Sequence, residues 1–176
     1  WRTLLRARSV LNAGDILYAM NGSDQNINDG VGWRSTLTFA ANLSASGTLT
    51  LPIAYVVYPT HSVTIGFSSE ESTDFGVRSQ GDGVQYIVIA GFHLTTAGNS
   101  SALSIGGSDN HWRIIGNDLT CPNAATNTGC LFVGSDYVEI FGNDVHHSGI
   151  TQTSSKLYHQ VYLQGNHAWV GWNRIH

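Results

Sequence analysis

Residues 111–120 read HWRIIGNDLT, and the same pattern returns as YIVIAGFHLT at 86–95, YVEIFGNDVH at 137–146 and HAWVGWNRIH at 167–176. The four segments align without gaps, and their seventh positions are spaced by 25, 26 and 30 residues. A shorter copy, SVTIGF at 62–67, places Phe67 another 25 residues before Phe92. Self-similarity at such a period is the signature of a repeat protein, so one structural unit recurs along the chain.

Each repeat carries the apolar pattern of short β-strands. Its fourth position is always aliphatic, and is occupied by Ile89, Ile114, Ile140 and Val170. Apolar residues also lie two positions earlier, which is the period of a strand with one buried face. A further apolar position follows the turn, at Leu94, Leu119, Val145 and Ile175. A third strand precedes the pair, as in ALSI at 102–105, CLFV at 130–133 and QVYL at 160–163.

Three short strands cannot bury an apolar face alone, so the repeats must stack. Stacking each strand on its counterpart at roughly 4.8 Å creates three parallel sheets around one interior. The sequence therefore predicts an all-β solenoid of about six coils, with three short strands per coil, in which residues 1–176 form a single domain.

Composition excludes other classes of protein. Only 11% of the residues are charged and the net charge is −4, with no basic run that would neutralise a phosphate backbone. Nucleic acid is therefore not a predicted partner. Apolar runs are short throughout the sequence, so no membrane span is predicted.

The stacked apolar triplets and the Gly-Asn turn that precedes Asp118 and Asp144 resemble the right-handed parallel β-helix of the pectate-lyase-like superfamily. AGDILYAMNG at 13–22 is similar to the first coil of such proteins, and PIAYVVYPTHSVTIGF at 52–67 is similar to the second. The resemblance covers residues 9–176. It implies a secreted, carbohydrate-active protein that resembles a polysaccharide lyase acting on acidic glycans. The alternative is a non-catalytic β-helix that is structural, adhesive or fibre-forming, or that is a glycan-binding module.

The resemblance also implies a chemistry. In β-helix polysaccharide lyases, a lysine or arginine removes the proton next to a uronic carboxylate, while Ca²⁺ or a basic group neutralises that carboxylate. The last third of the chain concentrates the residues that suit this reaction, and the predicted catalytic residues are Lys156, His159, His146 and Arg174. Ordinary turn histidines are the alternative interpretation.

Two rows of acidic residues recur at the repeat period. His93, Asp118, Asp144 and Arg174 share one position, and Asp82, Asp109, Asp136 and Asn166 share another. Carboxylates on adjacent coils repel unless a cation or a neighbouring basic group offsets them. Asp118 and Asp144 are therefore candidate ligands of Ca²⁺. Asx turns in solvent explain both rows as well.

Outward positions of neighbouring strands carry aromatic and charged side chains. On the strand before the repeat these are Phe132 and Tyr162, and on its first strand they are Arg113, Glu139 and Trp169. Sugar rings stack their apolar faces on aromatic rings and need hydrogen bonds for their hydroxyl groups. We therefore expect these five residues to bind substrate on one exposed surface. The alternative is that loops fold over them.

The two cysteines, Cys121 and Cys130, bracket the polar stretch PNAATNTG. This spacing predicts a disulfide that closes a short loop, and hence an extracellular location. Two buried free thiols are the alternative.

Two further expectations concern the turns and the ends of the solenoid. Asn117, Asn143 and Asn173 should form a structural amide ladder, continued by aromatic stacking of Phe92 and Phe67. The repeats run to His176, and TLLRARSVL at 3–11 is at most a remnant of a covering helix. Either the chain is a fragment of a longer β-helix, or its ends associate with neighbouring molecules end to end.

Overall fold

A computed structural model describes residues 3–24, 35–67, 75–96, 100–123, 128–149 and 158–176. Within these ranges the chain is a right-handed parallel β-helix of six coils, as predicted. A short helix, α1 (Leu4–Arg8), precedes the coils. No helix in the described part of the chain has the length and apolar character needed to cross a membrane.

The coils contain the following strands: β1 (Ile16–Ala19), β2 (Gly22–Asp24) and β3 (Ser35–Phe39) in coil 1; β4 (Ile53–Val57), β5 (Val63–Phe67) and β6 (Phe75–Ser79) in coil 2; β7 (Ile87–Ala90), β8 (His93–Thr96) and β9 (Leu103–Ile105) in coil 3; β10 (Arg113–Ile115), β11 (Asp118–Thr120) and β12 (Thr128–Val133) in coil 4; β13 (Glu139–Phe141), β14 (Asp144–His146) and β15 (Tyr158–Leu163) in coil 5; β16 (Trp169–Gly171) and β17 (Arg174–Ile175) in coil 6.

The first strands of successive coils stack in register, as do the second strands and the third strands, and they form three all-parallel sheets. Sheet A contains the first strands (β1, β4, β7, β10, β13 and β16). Sheet B contains the second strands (β2, β5, β8, β11, β14 and β17), and sheet C contains the third (β3, β6, β9, β12 and β15). Each sheet therefore presents one outward surface, and equivalent residues of successive coils form rows along the helix axis.

The interior is built from such rows. Ile89, Ile114, Ile140 and Val170 pair in register, which confirms the predicted row, and all but Val170 are buried. The row continues through Tyr55 and Leu17 into the first two coils. Buried Trp112 donates its indole N–H to the carbonyl of Val84 at 3.0 Å, so the largest interior side chain has its polar atom satisfied.

Helix α1 lies over the first coil. The Thr3 hydroxyl caps it by accepting a hydrogen bond from the Arg6 backbone N–H at 3.2 Å. Leu4, Ala7 and Leu11 belong to the buried core. The segment that the sequence indicated only as a remnant therefore forms one helical turn with an apolar face on the core.

The asparagine ladder is confirmed. Asn143 donates from its side-chain amide to the carbonyl of Ile114 at 2.9 Å, and its Oδ1 accepts the backbone N–H of Asn117 at 2.9 Å. Asn117 and Asn173 repeat the donor bond at 2.9 and 2.8 Å, to the carbonyls of Ile89 and Ile140. Each amide thus satisfies one donor and one acceptor of a buried turn, which is a structural role.

The extension of this ladder to Phe67 was wrong. Val63, not Phe67, is equivalent to Phe92, because Thr64 pairs with His93 and Phe67 pairs with Thr96. Two residues connect the first and second strands in coils 3 to 5, whereas residues 58–62 connect β4 to β5. The longer connection shifts the register of coil 2 relative to the gap-free alignment.

The predicted disulfide between Cys121 and Cys130 is confirmed, with a Cα–Cα distance of 5.5 Å. The alternative of two free thiols was wrong. Both cysteines are fully buried, and the Ala102 backbone N–H donates to the Cys121 sulfur at 3.3 Å. The bridge therefore lies in the core as well as closing a loop.

Candidate functional site

An aromatic ladder runs along one edge of sheet A. It consists of the first residues of the four repeats, Tyr86, His111, Tyr137 and His167. Successive ring centroids are 4.5, 5.0 and 4.7 Å apart and the ring planes are within 20° of parallel. Each ring covers the face of the next, so the inner rings present mainly their edges to solvent.

The backbone fixes this ladder in an unusual conformation. All four residues have φ between 55° and 57°, in the left-handed region that bulky residues rarely adopt. Backbone hydrogen bonds between coils hold the turn, since the N–H groups of Tyr86, His111 and Tyr137 each donate to a carbonyl of the next coil. Because the same unfavourable backbone conformation recurs on four successive coils, the surrounding structure must hold the turn in it.

A groove of about 210 Å³ follows the ladder along the helix axis. Its lining comes from coils 3 to 6 and from the segment that precedes β4, which is hydrogen-bonded to the start of coil 3. The lining residues are Leu49, Pro52, Tyr86, Val88, His111, Arg113, Tyr137, Glu139 and Trp169. At roughly 4.8 Å per coil, the lining extends over about 19 Å. The groove is therefore elongated, with a shape that suits an extended polymer.

The two charged side chains of the groove are paired with each other. Arg113 and Glu139 are in register on β10 and β13, and Arg113 Nε lies 3.1 Å from Glu139 Oε2. Both side chains remain partly exposed. Trp169 follows on the next strand and is 51% exposed, with its ring tilted 34° from that of Tyr137. The indole is thus an aromatic surface beside an ion pair.

The five predicted substrate-binding residues are divided between two sheets. Arg113, Glu139 and Trp169 lie together in the groove, whereas Phe132 and Tyr162 stack on each other on sheet C, with centroids 5.7 Å apart. The chain turns between the third strand of one coil and the first strand of the next. The outward positions of those strands therefore belong to different faces of the β-helix.

A histidine–aspartate cluster occupies the outward face of sheet B. Asp118 bridges two coils, since its Oδ2 lies 2.9 Å from His93 Nδ1 and its Oδ1 lies 2.7 Å from His146 Nε2. Asp144 lies 3.2 Å from His176 Nε2 and 3.7 Å from Arg174 Nη1. Arg174 offsets part of the repulsion expected between the two carboxylates, and the imidazoles lie within hydrogen-bond distance of the carboxylate oxygens.

Histidine rings surround this cluster. His146 stacks on His176 at 5.3 Å, and its Nδ1 forms a hydrogen bond with Nδ1 of His147. Such a chain of imidazoles and carboxylates can relay protons and can carry positive charge when protonated. Among the residues that the structure describes, no three His, Cys, Asp or Glu side chains are arranged to hold a metal ion. Calcium at Asp118 and Asp144 stays a prediction.

The predicted catalytic residues do not form one group. His146 and Arg174 share the face of sheet B, each beside an aspartate. His159 lies on β15 in sheet C, where its ring contacts Tyr162 at a centroid distance of 5.0 Å. Lys156 lies outside the described residues.

The second acidic row binds backbone. Asp109 is 1% exposed and accepts the N–H groups of Gly81, Gly83 and Val84 at 2.7 to 3.1 Å. Asp82 likewise accepts the N–H of Ala41 at 2.9 Å. Burial raises the pKa of the Asp109 carboxyl, and the hydrogen bonds from Ser79 and the backbone oppose this rise. The interpretation of this row as Asx turns in solvent was wrong, because Asp109 is buried and its partners lie 25 to 28 residues earlier in the chain, one coil away.

The sequence analysis did not identify the aromatic ladder as part of a candidate site. The signal was present, because the first position of every aligned repeat is Tyr or His.

We found no match to this chain among protein families, curated proteins or solved structures.

Proposed function

We propose that this chain is a secreted, carbohydrate-binding β-helix that holds a polysaccharide along the groove of sheet A. The observation that carries the proposal is the exposed indole of Trp169 beside the Arg113–Glu139 ion pair. We also propose that the chain is related to the pectate-lyase-like superfamily, and the β-helix architecture supports this relationship. The disulfide between Cys121 and Cys130 supports an extracellular location.

The chemistry of the groove suits sugar rings. An indole offers a flat apolar face on which the C–H face of a pyranose stacks. The Arg113 guanidinium provides hydrogen-bond donors and the Glu139 carboxylate provides acceptors, so together they satisfy hydroxyl groups of both kinds. Because the lining extends over four coils and the segment before β4, several sugar units of one chain contact it at once.

We expect the substitution Trp169→Ala to weaken polysaccharide binding by roughly tenfold or more, because it removes the exposed stacking face. Binding is measured by electrophoresis in gels that contain soluble polysaccharides and by pull-down on insoluble ones. Trp172 supplies the matched control, since it is 90% exposed in the same coil and does not line the groove.

The control is the substitution Trp172→Gly. Trp172 has φ 54° at a position where Gly91, Gly116 and Gly142 have the same left-handed backbone in coils 3 to 5, so glycine fits there without strain. Binding should be retained in this variant. Equal loss of binding in both variants, or no binding of any polysaccharide by the native chain, would contradict the proposed function.

A polysaccharide lyase acting on acidic glycans is the second candidate, and the sheet B cluster favours it. Arg174 exposes 74% of its side chain beside Asp144, and His146 lies one strand away. An exposed guanidinium can neutralise a uronic carboxylate, and an imidazole can transfer the proton.

The lyase candidate predicts that ultraviolet absorbance of unsaturated product rises when the chain is incubated with pectate, alginate or glycosaminoglycans, with or without Ca²⁺. His146→Gln and Arg174→Gln should each lower the rate by about 100-fold. Arg6→Gln, an exposed arginine on α1, is the control. If no substrate gives product, the lyase candidate is wrong while binding in the groove is unaffected.

A further inference from the structure

We infer that the groove on sheet A selects a neutral polysaccharide over an acidic one. The inference rests on the proposed carbohydrate binding and adds the class of ligand. It follows from the two charged side chains of the groove. Their positions are set by the register of two neighbouring strands, β10 and β13.

The charged side chains among the described lining residues are Arg113 and Glu139, and they face each other at 3.1 Å. Their register on adjacent strands holds the two groups one coil apart, so each charge has its counterion within the site. His111 is the other titratable base in the lining. Its Nδ1 contacts Asn110 Oδ1 and its ring is stacked between Tyr86 and Tyr137.

A hydroxyl group and a carboxylate interact differently with such a pair. Neighbouring sugar hydroxyls both donate and accept, so they bind the guanidinium and the carboxylate together without separating the ions. A uronic carboxylate gains attraction from Arg113 but meets repulsion from Glu139 at nearly the same distance. It can bind strongly only by displacing Glu139, which leaves that carboxylate without its counterion.

The charge of the whole chain acts in the same direction. The net charge is −4, so an acidic polymer approaches against a repulsive field at low ionic strength, whereas a neutral polymer does not. The ion pair and the net charge therefore both favour neutral glycans in the groove.

The test compares neutral and carboxylated forms of one polymer, such as hydroxyethyl- and carboxymethylcellulose, or methyl-esterified and de-esterified galacturonan. Affinities are measured at low salt and at pH 8, above the ordinary pKa of an imidazole of about 6.5. We expect the native chain to prefer the neutral member of at least one pair. Glu139→Gln leaves Arg113 without its counterion and should shift the ratio of affinities toward the carboxylated member by about fivefold.

Two variants make the shift specific. Arg113→Gln should move the ratio in the opposite direction, toward the neutral member. Asp82→Asn makes the same change in net charge as Glu139→Gln but lies outside the groove, so its ratio should equal that of the native chain. An equal shift in Asp82→Asn would show that net charge alone sets the preference and would overturn the inference.

The failure of this inference differs from the failure of the proposed function. If the native chain prefers the carboxylated polymers, and that binding depends on Trp169, the groove binds glycans but the assigned class is wrong. If neither member of any pair binds, both the class and the proposed function are overturned.

Discussion

Replacing Asp109 by alanine should lower the free energy of unfolding by about 3 kcal/mol or more. The carboxylate is buried and accepts three backbone N–H groups, those of Gly81, Gly83 and Val84. Without it, these donors have no acceptor in a turn that water reaches poorly. Asp109→Asn should cost about 2 kcal/mol, since the amide keeps one acceptor but directs an NH₂ group at a donor.

Asp109 also makes the free energy of unfolding depend on pH. Burial raises the pKa of Asp109 in the folded chain above its value of about 3.9 in the unfolded chain. Between these two values the folded state binds more protons, so this carboxyl makes the protein more stable as the pH falls through that window. Its contribution is constant below the unfolded pKa and above the folded pKa. In Asp109→Asn this rise in stability should be missing.

Urea unfolding at pH 7 and at mildly acidic pH measures both effects. Asp82→Asn is the control, because Asp82 is exposed and accepts a single backbone N–H that an asparagine oxygen also accepts. Its effect should stay within about 0.5 kcal/mol. If Asp109→Asn is as stable as Asp82→Asn at pH 7, the buried carboxylate does not hold the turn as described.

The fold could be predicted because equivalent positions of the repeat hold residues of the same chemical type. Ile114 and Ile140 occupy the same position of two aligned segments, and parallel stacking then places them in one row. Asn117 and Asn143 were predictable in the same way, since an amide both donates and accepts along the axis. In each case residue type, position in the repeat and period lead to the same arrangement.

The register of coil 2 could not be predicted from the same pattern. A gap-free alignment assumes that connections keep their length, and residues 58–62 break that assumption. The sequence SVTIGF contains a strand, but residue type does not show that Val63, rather than Phe67, follows the turn. Register is set by where the connection ends, which a period of apolar residues does not record.

The site was predictable along each strand but not between strands. Alternation places Arg113, Glu139 and Trp169 outward in one row, as found. Alternation does not give the angle between sheets, so it could not show that Phe132 and Tyr162 lie on a different surface. The left-handed backbone of Tyr137 and the other ladder residues was not readable either, because tyrosine and histidine rarely adopt it.

Removing the disulfide should produce the second large loss of stability. Cys121 and Cys130 close a loop of about ten residues, and in the chain-entropy model such a link stabilises the fold by about 2 to 3 kcal/mol. Both sulfurs are buried in the core, so the substitution of both cysteines by alanine also removes buried volume. We expect the double alanine variant to lose about 3 to 4 kcal/mol in total.

Two measurements separate the link from the packing. Reduction of the native chain breaks the link while keeping both sulfur atoms, so the reduced chain should unfold at a urea concentration between those of the oxidised chain and the double alanine variant. Alkylation under denaturing, non-reducing conditions should label no thiol, and prior reduction should expose two. Two labelled thiols without reduction would show that the bridge is absent. Because an oxidising compartment is what maintains such a bridge, that result would also remove the main structural support for an extracellular location.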